Sequence, residues 1–470
     1  MAHICFLSLG TSCSSQASYI TKQNRIDTQD RRKKWPDDRI TIVCFKDLLK
    51  NFLSVLSQFQ INTYPLPSST YIIDETEKDI AREKERNAIW DACFSLKPTL
   101  IIFSTFTIEG WSISERLQVP SIGVSFFPLD CFPMPPEFKN ELCDSLPELT
   151  DALSHPNKET VDWRHVVHWM WRLFLEDQGD FREYLGLTTM PFVDITDSGS
   201  VEVCLPIPTT MIYAFDPLDD ISDTTILGGF WTDPDIFRDI SKDLWRTNPE
   251  CLVDIERFIQ SMDSVIIIHF GSMEHLFPQF RDPKWLNQLV GLIGKSLEQL
   301  KLPAIWWMTS NSPLHKACLE NPSFATYNTA HICLEDIPHD FIIPAIRYGF
   351  PKKCFDTWWI DVHKNKVEAP RKRNIGALHH GGAGTFGSMA TYGVPQLILP
   401  CMFDQFFWAE TGESHGISKT LNVDDHDWSK AFSWSVKDKK SCQGYQTIVK
   451  SSTEEGLLRT LNAILSNKSK

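Results

Sequence analysis

Twice along the chain an apolar run stops at a glycine and gives way to a loop. Ile4–Leu9 ends at Gly10, and Val265–Phe270 ends at Gly271. A continuous apolar run of this length is what a strand buried on both faces requires, and glycine lets the chain turn sharply where the run ends. After each start, apolar runs alternate with helical patterns. The first half reads as strand Ile40–Phe45, helix Leu48–Phe59, strand-like Ile61–Leu66, helix 76–94, then strands Thr99–Phe103 and Pro120–Phe127. The second reads as helix Pro249–Ser261, strand Val265–Phe270, helix Trp285–Lys301, strands Ala304–Met308 and Ile332–Leu334, and the apolar Ile337–Ile346, which two prolines interrupt. Strands alternating with helices predict parallel sheets covered on both faces. Two such series with no close repeat between them predict an α/β protein of two doubly wound domains.

The chain's 470 residues suit two or three folded units at about 150 residues each. Hydrophobic residues at 42% and charged residues at 23% are ordinary globular usage, which excludes a mainly disordered or collagenous chain. Lys and Arg (46) against Asp and Glu (60) leave a net charge of −14, which argues against nucleic acid as a partner. The 13 cysteines include no CxxC pair, so no zinc site is expected and reduced thiols in a cytoplasmic protein fit best. The longest apolar runs fall far below the roughly 18 residues of a membrane span. Nothing basic precedes Ile4–Leu9, so a secretory signal is not expected. The polar stretch 233–248 marks the boundary, giving domains 1–245 and 246–435, with 436–470 as a tail helix packing back on the first.

Three stretches break the rhythm. Thr21–Arg39 is crowded with charge and reads as a solvated loop. Leu146–Arg182 is helical in pattern and dense in aromatics, with His165 and His168 on adjoining turns; it reads first as an amphipathic helix burying its tryptophans, and second as the wall of an acceptor pocket. Arg347–Arg373 carries eight Lys/Arg against three acids and reads as a basic, exposed inserted loop; a membrane-surface contact is the lesser reading. Trp306 and Trp307, adjacent on a strand, face opposite ways and read as core.

The most informative segment is 375–410, IGALHHGGAGTFGSMATYGVPQLILPCMFDQFFWAE. It has a strand, a glycine-rich turn, a short helix stopped by Gly393 and Pro395, and a second strand. Gly381, Gly382 and Gly384 let the backbone approach a phosphate, and the following helix aims N–H groups and its positive dipole end at the anion. His379 and Thr385 add side-chain donors at the same end, and Asp404 with Gln405 can pair with vicinal hydroxyls of a polyol.

This segment resembles the donor signature of nucleotide-sugar-dependent UDP-glycosyltransferases of the GT-B type, in the sterol glucosyltransferase and antibiotic glycosyltransferase branch, with its HHGGAGT…GvPq…P…DQ pattern. The resemblance extends to Phe270–Met273 (FGSM) and Ile337–Phe341 (IPHDF, where the family usually has PHDW), and more loosely to Ser104–Pro120 and Phe181–Leu187. It implies two Rossmann-like domains, the donor site in the C-terminal one and the active site in the cleft between them. It further implies that Ser272, Pro338, His339, Phe341, His379, Gly381, Gly382, Gly384 and Thr385 hold the nucleotide and its phosphates, and that Asp404 and Gln405 grip the sugar. No metal and no further cofactor are expected, because the helix end neutralises the leaving diphosphate.

The family's first loop usually reads G-[ST]-R-G-[HD]-V-Q-P, its His or Asp taking the acceptor's proton. Here Gly10–Ala17 reads GTSCSSQA, and Ser14 stands at the base position, where it has no titration near neutral pH. The expected function is therefore inverting transfer of a hexose, glucose first, from a UDP-sugar to a lipophilic hydroxyl such as a sterol, terpenoid or phenolic, by a monomeric protein. A catalytically impaired paralogue that binds nucleotide sugar or a hydrophobic ligand is the alternative, and a nucleotide-sugar epimerase a third. His155, His165 and His168 are the reserve candidates for the base.

Overall fold

The computed structural model describes residues 3–8, 39–45, 62–66, 78–104, 107, 109–125, 179–187, 192–195, 201–203, 209–212, 225–227, 238–247, 249–271, 273–308, 311–321, 324, 330–333, 337–363, 373–402, 404–437, 441–443 and 446. The chain divides into two compact units, Met1–Trp231 with Ser452–Lys470, and Thr232–Ser451.

The first unit contains β1 (His3–Ser8), β2 (Arg39–Phe45), β3 (Asn62–Leu66), β4 (Leu100–Ser104), β5 (Ser121–Ser125), a short antiparallel pair β6 (Phe192–Ile195) and β7 (Val201–Val203), then β8 (Thr209–Ile212) and β9 (Thr225–Leu227). Seven of these form one sheet in the order β3-β2-β1-β4-β5-β8-β9, every neighbouring pair parallel. Residues 100–104 of β4 are all buried, as a strand covered on both faces must be. Against the sheet pack the helices Lys78–Leu96 and Glu109–Leu117, which bury Ile89, Ala92, Cys93, Trp111 and Ile113.

The second unit holds β10 (Ser264–His269), β11 (Ala304–Trp307), β12 (Ala330–Cys333), β13 (Asn374–His379), β14 (Gln396–Ile398) and β15 (Ser418–Thr420), in the order β12-β11-β10-β13-β14-β15, again all parallel. That is the Rossmann order, with the winding reversing between β10 and β13. The period of two divides the core between the sheet's faces. Ile266, Ile268, Trp306 and Leu378 bury against helix Pro283–Leu300, and Val265, Ile267, Trp307 and Ala377 bury on the other side with helices Pro249–Ile259 and His339–Tyr348. Trp306 and Trp307 are thus core residues on opposite faces. Helix Pro283–Leu300 is capped by Asp282, whose carboxylate accepts from the N–H of Lys284 behind Pro283 at the first position.

Two expectations are corrected. The polar stretch 233–248 contains helix Arg238–Thr247, which lays Leu244 and Trp245 on the core of the second unit, so that unit starts at Thr232 and not after the helix. Nor is 347–373 simply an exposed loop. Arg347 is buried in the last turn of helix His339–Tyr348, and Phe355–His363 is a helix burying Phe355, Trp359 and Val362, an i, i+4, i+7 stripe. Asp356 on that helix pairs with Arg238 (2.6 Å) and Lys242 (2.5 Å), fastening the two unexpected helices together. Of the tail, only 441–443 and 446 beyond 437 lie among the described residues.

Candidate functional site

In an open parallel sheet, ligands bind beyond the carboxyl ends of the strands where the winding reverses. In the second unit that point lies between β10 and β13, whose last residues, His269 and His379, are register partners. The two loops leaving it are the FGSM loop after β10 and the glycine-rich loop after β13, so two of the motifs read from the sequence meet at this one point.

The backbone there depends on glycine. Gly271 has φ +54°, and a Cβ on it would stand 3.4 Å from the His269 ring and 3.5 Å from that of His380. Gly381 has φ +90°, and its Cβ would strike Ile398 Cγ2 at 2.7 Å. At Gly271 the left-handed φ is what disfavours a side chain, the space being sufficient for a Cβ, whereas at Gly381 both the φ and the clash do. By contrast a Cβ on Gly384 would meet nothing within 4 Å, so the first turn of helix Ala383–Thr391 faces open space. Gly382 at the N-cap position has no side chain to cap that helix, and the first N–H, that of Ala383, is taken by the Asp404 carboxyl. The next N–H groups, of Gly384 and Thr385, have no carbonyl partner within the helix and present its positive end at this opening.

His379 and His380 have different surroundings. His379 is fully buried; the N–H of Gly381 donates to its Nδ1 (3.0 Å), so the proton sits on Nε2, which donates to Gln396 Oε1 (2.9 Å). Burial pushes its pKa down to about 3, and the ring is neutral. With both nitrogens engaged inside the protein, His379 holds the loop's shape and offers no side-chain donor to a phosphate, contrary to expectation. His380, the first residue past the strand, is 7% exposed, and its Nδ1 has no hydrogen-bond partner. His339 opens helix His339–Tyr348 behind Pro338, and its buried Nε2 also lacks a partner. Burial, with His269 and His379 nearby, pushes His339 down to about 3, and burial beside the same cluster lowers His380 strongly. The His339 ring lies 5.4 Å from that of His269 and 5.0 Å from that of Trp307, and His269 Nδ1 stands 3.2 Å from the Trp307 carbonyl. Neutral imidazoles with an unengaged nitrogen can hydrogen-bond an anion without adding charge of their own.

Asp404 begins helix Gln405–Ser414. Its Oδ2 accepts from Trp408 Nε1 (3.0 Å) and its carboxyl also accepts from the Ala383 N–H, which places it against the start of the glycine-loop helix. Burial outweighs these bonds and pushes it up to about 6. Gln405 is spent elsewhere. Its Oε1 accepts from the N–H groups of Cys401 (2.8 Å) and Met402 (3.1 Å), and its Nε2 donates to Met273 Sδ (3.2 Å). It pins the FGSM loop to the turn before Asp404, and its oxygen, accepting twice in a buried side chain, is not available to a sugar. Phe341 is likewise core, fully buried against Phe350, Phe355 and Trp358, and not a nucleotide contact. Thr385 sits half-buried in the first helical turn. Ser14, Ser272, His155, His165, His168 and most of the aromatic stretch lie outside the described residues.

Two buried polar residues near these loops in sequence were not singled out from the sequence. His380 could have been found from strand length: counting six residues from Asn374 ends β13 at His379 and leaves His380 as the first of the loop. Glu274, just after the FGSM glycine–serine pair, is 3% exposed with Oε2 unpartnered, and burial pushes it up to about 7 against a hydrogen bond from Ser312. Nothing in its pattern distinguishes it from a surface acid. Among the described residues no cluster of three metal-ligating side chains occurs.

No family model matches the chain. Sterol 3-beta-glucosyltransferase of Neurospora crassa is 23% identical over 337 residues, which is 70% of this chain and 18% of that protein, so the chain spans less than a fifth of this relative's length. Among solved structures, the glycotransferase of kitacinnamycin superposes with a TM-score of 0.59 at 12% identity over 99% of both chains. UDP-glucose: anthocyanidin 3-O-glucosyltransferase, crystallised with UDP, gives 0.58 at 13% identity over 100% of this chain and 99% of that one. The chain is thus similar in sequence to sterol 3-beta-glucosyltransferases and carries the GT-B fold of these solved structures.

Proposed function

We propose that the protein transfers a hexose, glucose first, from a UDP-sugar to the hydroxyl of a lipophilic acceptor such as a sterol, terpenoid or phenolic. One observation carries this reading: at the switch point of the second sheet, a helix N-terminus with only its first N–H taken, by the Asp404 carboxylate, and two buried imidazole nitrogens without partners sit together. The diphosphate lies on the N–H groups of 384 and 385 with His380 and His339 donating, and Asp404, already bonded to the Ala383 N–H, takes a sugar hydroxyl with its remaining acceptor capacity. In the reaction the acceptor oxygen attacks the anomeric carbon from the face opposite the diphosphate. The C–O bond to phosphate breaks with its electron pair passing to the leaving group, the acceptor's hydroxyl proton passes to solvent or to a base, and the configuration inverts. Stabilisation of that leaving charge falls to the helix and the imidazoles, without a metal. The sterol relatives support the lipophilic acceptor, and the aromatic composition of 146–182 suits it.

The serine at position 14 favours a second reading, a donor-binding protein with slow turnover. Incubating the protein with UDP-glucose and a panel of sterols, terpenoid alcohols and phenols decides between them, with UDP release and glycoside mass as readouts. UDP binding with glycoside formation supports transfer, and binding without product supports the second reading. Absence of UDP binding removes both.

A further inference from the structure

Tyr392 closes the C-terminal end of helix Ala383–Thr391 and is held at two points by one other helix. Its phenol donates to Asp340 Oδ1 (2.7 Å), and its carbonyl accepts from the Arg347 guanidinium. Asp340 and Arg347 occupy the first and last turns of helix His339–Tyr348, and both are buried. Asp340 directly follows His339. A third helix reaches the same phenol through His363 Nδ1 (3.4 Å), from the basic stretch that the sequence presents as an interruption. Arg373, which closes that stretch, donates to the carbonyls of Ile346 (3.1 Å) and Ile259 (3.2 Å).

We infer that Tyr392 is a positioning residue of the donor site, a clamp that fixes the glycine-loop helix relative to the helix carrying His339. The inference rests on the donor-site reading above. The N–H groups at the front of the glycine-loop helix and the ring of His339 must address one ligand together, although each belongs to a separate helix. Tyr392 sits at the far end of the first, about 13 Å from its front by the rise of a helix. A small rotation about an unclamped end moves the N–H groups away from the imidazole, and ligand geometry is sensitive to such misplacement. Arg347, His363 and Arg373 thereby contribute to the donor site through support.

The test uses the full-length protein, UDP as probe, calorimetric titration well below the melting temperature, and amide hydrogen exchange over 379–386. Tyr392→Phe should raise the UDP dissociation constant about tenfold and speed exchange in that segment, and Asp340→Ala should do the same. Asp340→Asn keeps an oxygen that accepts from the phenol, and should stay within about twofold of the unmodified protein. UDP affinity unchanged in both Tyr392→Phe and Asp340→Ala, with only the melting temperature lowered, overturns the clamp. Asp340→Asn as impaired as Asp340→Ala also overturns it, because the carboxylate charge would then be acting on the ligand itself. If the unmodified protein binds no UDP, the donor-site reading falls and the exchange comparison decides alone, with unchanged protection of 379–386 in Tyr392→Phe overturning the clamp.

Discussion

Because Gly381 and Gln396 use both ring nitrogens of His379, replacing that residue by alanine leaves a buried N–H and a buried amide oxygen unpaired beside a cavity. His379→Ala should therefore lower stability by about 2–4 kcal/mol in denaturant titration. His380→Ala should leave the melting curve nearly unchanged and reduce turnover about 10²–10³-fold, the usual loss for one donor aimed at developing negative charge. Equal loss of turnover with unchanged stability in both variants would reverse the assignment. Glu274 has a sign that can be checked directly. Its folded pKa is raised from 4.5 to about 7, so the folded state retains a proton that the unfolded chain gives up. The stability linked to that proton is present below about pH 4.5 and is lost as pH rises through about 7. Glu274→Gln fixes the neutral form and can still accept from Ser312. It should match the unmodified protein at pH 4 and be more stable by about 2 kcal/mol at pH 8, read from melting curves at the two pH values. His339 and His379, with pKa values lowered to about 3, have the opposite sign, and destabilise the fold as pH falls below about 6.5.

At the scale of elements, the glycine-loop helix separates what folding needs from what binding needs. Gly384 lies within the helix with open space where a Cβ would project. Gly384→Ala should stabilise the protein by about 0.5–1 kcal/mol through helix propensity, yet weaken UDP binding, because the new methyl group occupies the surface a phosphate would approach. Gain of stability with unchanged UDP affinity would move the phosphate away from this turn. Most strands of the second unit were legible to within a residue or two because each is a short apolar run bounded by breakers. The helices Arg238–Thr247 and Phe355–His363 were not, for a shared reason. Each buries only a narrow stripe and exposes charge on the remainder, so Asp239, Lys242, Asp243 and Arg246 in one, and the basic flanks of the other, mask Leu244, Trp245, Phe355 and Trp359. The motif residues also divided along a physical line. Sequence gives which residues share a loop, and it does not give which way a side chain turns once the loop closes, so His379, Gln405 and Phe341 were read as ligand contacts although they face inward.

For the molecule as a whole, the two parallel sheets and their winding were legible because buried strands alternating with helices admit few other arrangements. A group to take an acceptor's proton was not, since Ser14, which the resemblance of the first loop sets at the base position, does not titrate near neutral pH and lies outside the described residues. Ser14→His should leave UDP affinity unchanged and raise the rate on aliphatic alcohols by about 10²-fold or more, with a smaller gain on phenols, which ionise without help. A fast unmodified protein with a silent Ser14→Ala would place the base elsewhere. The neutral histidines carry a last consequence for how the donor arrives. None of the side chains named at the switch point is a lysine or arginine, the chain carries −14, and a nucleoside diphosphate is a polyanion. Among the described residues at that point no side chain therefore draws the ligand in over long range, and we expect capture to depend on short-range dipoles met on contact. Encounter should be slow but nearly indifferent to ionic strength, so UDP on-rates measured by stopped flow between about 50 and 500 mM salt should stay level or rise slightly as screening weakens the repulsion between like charges.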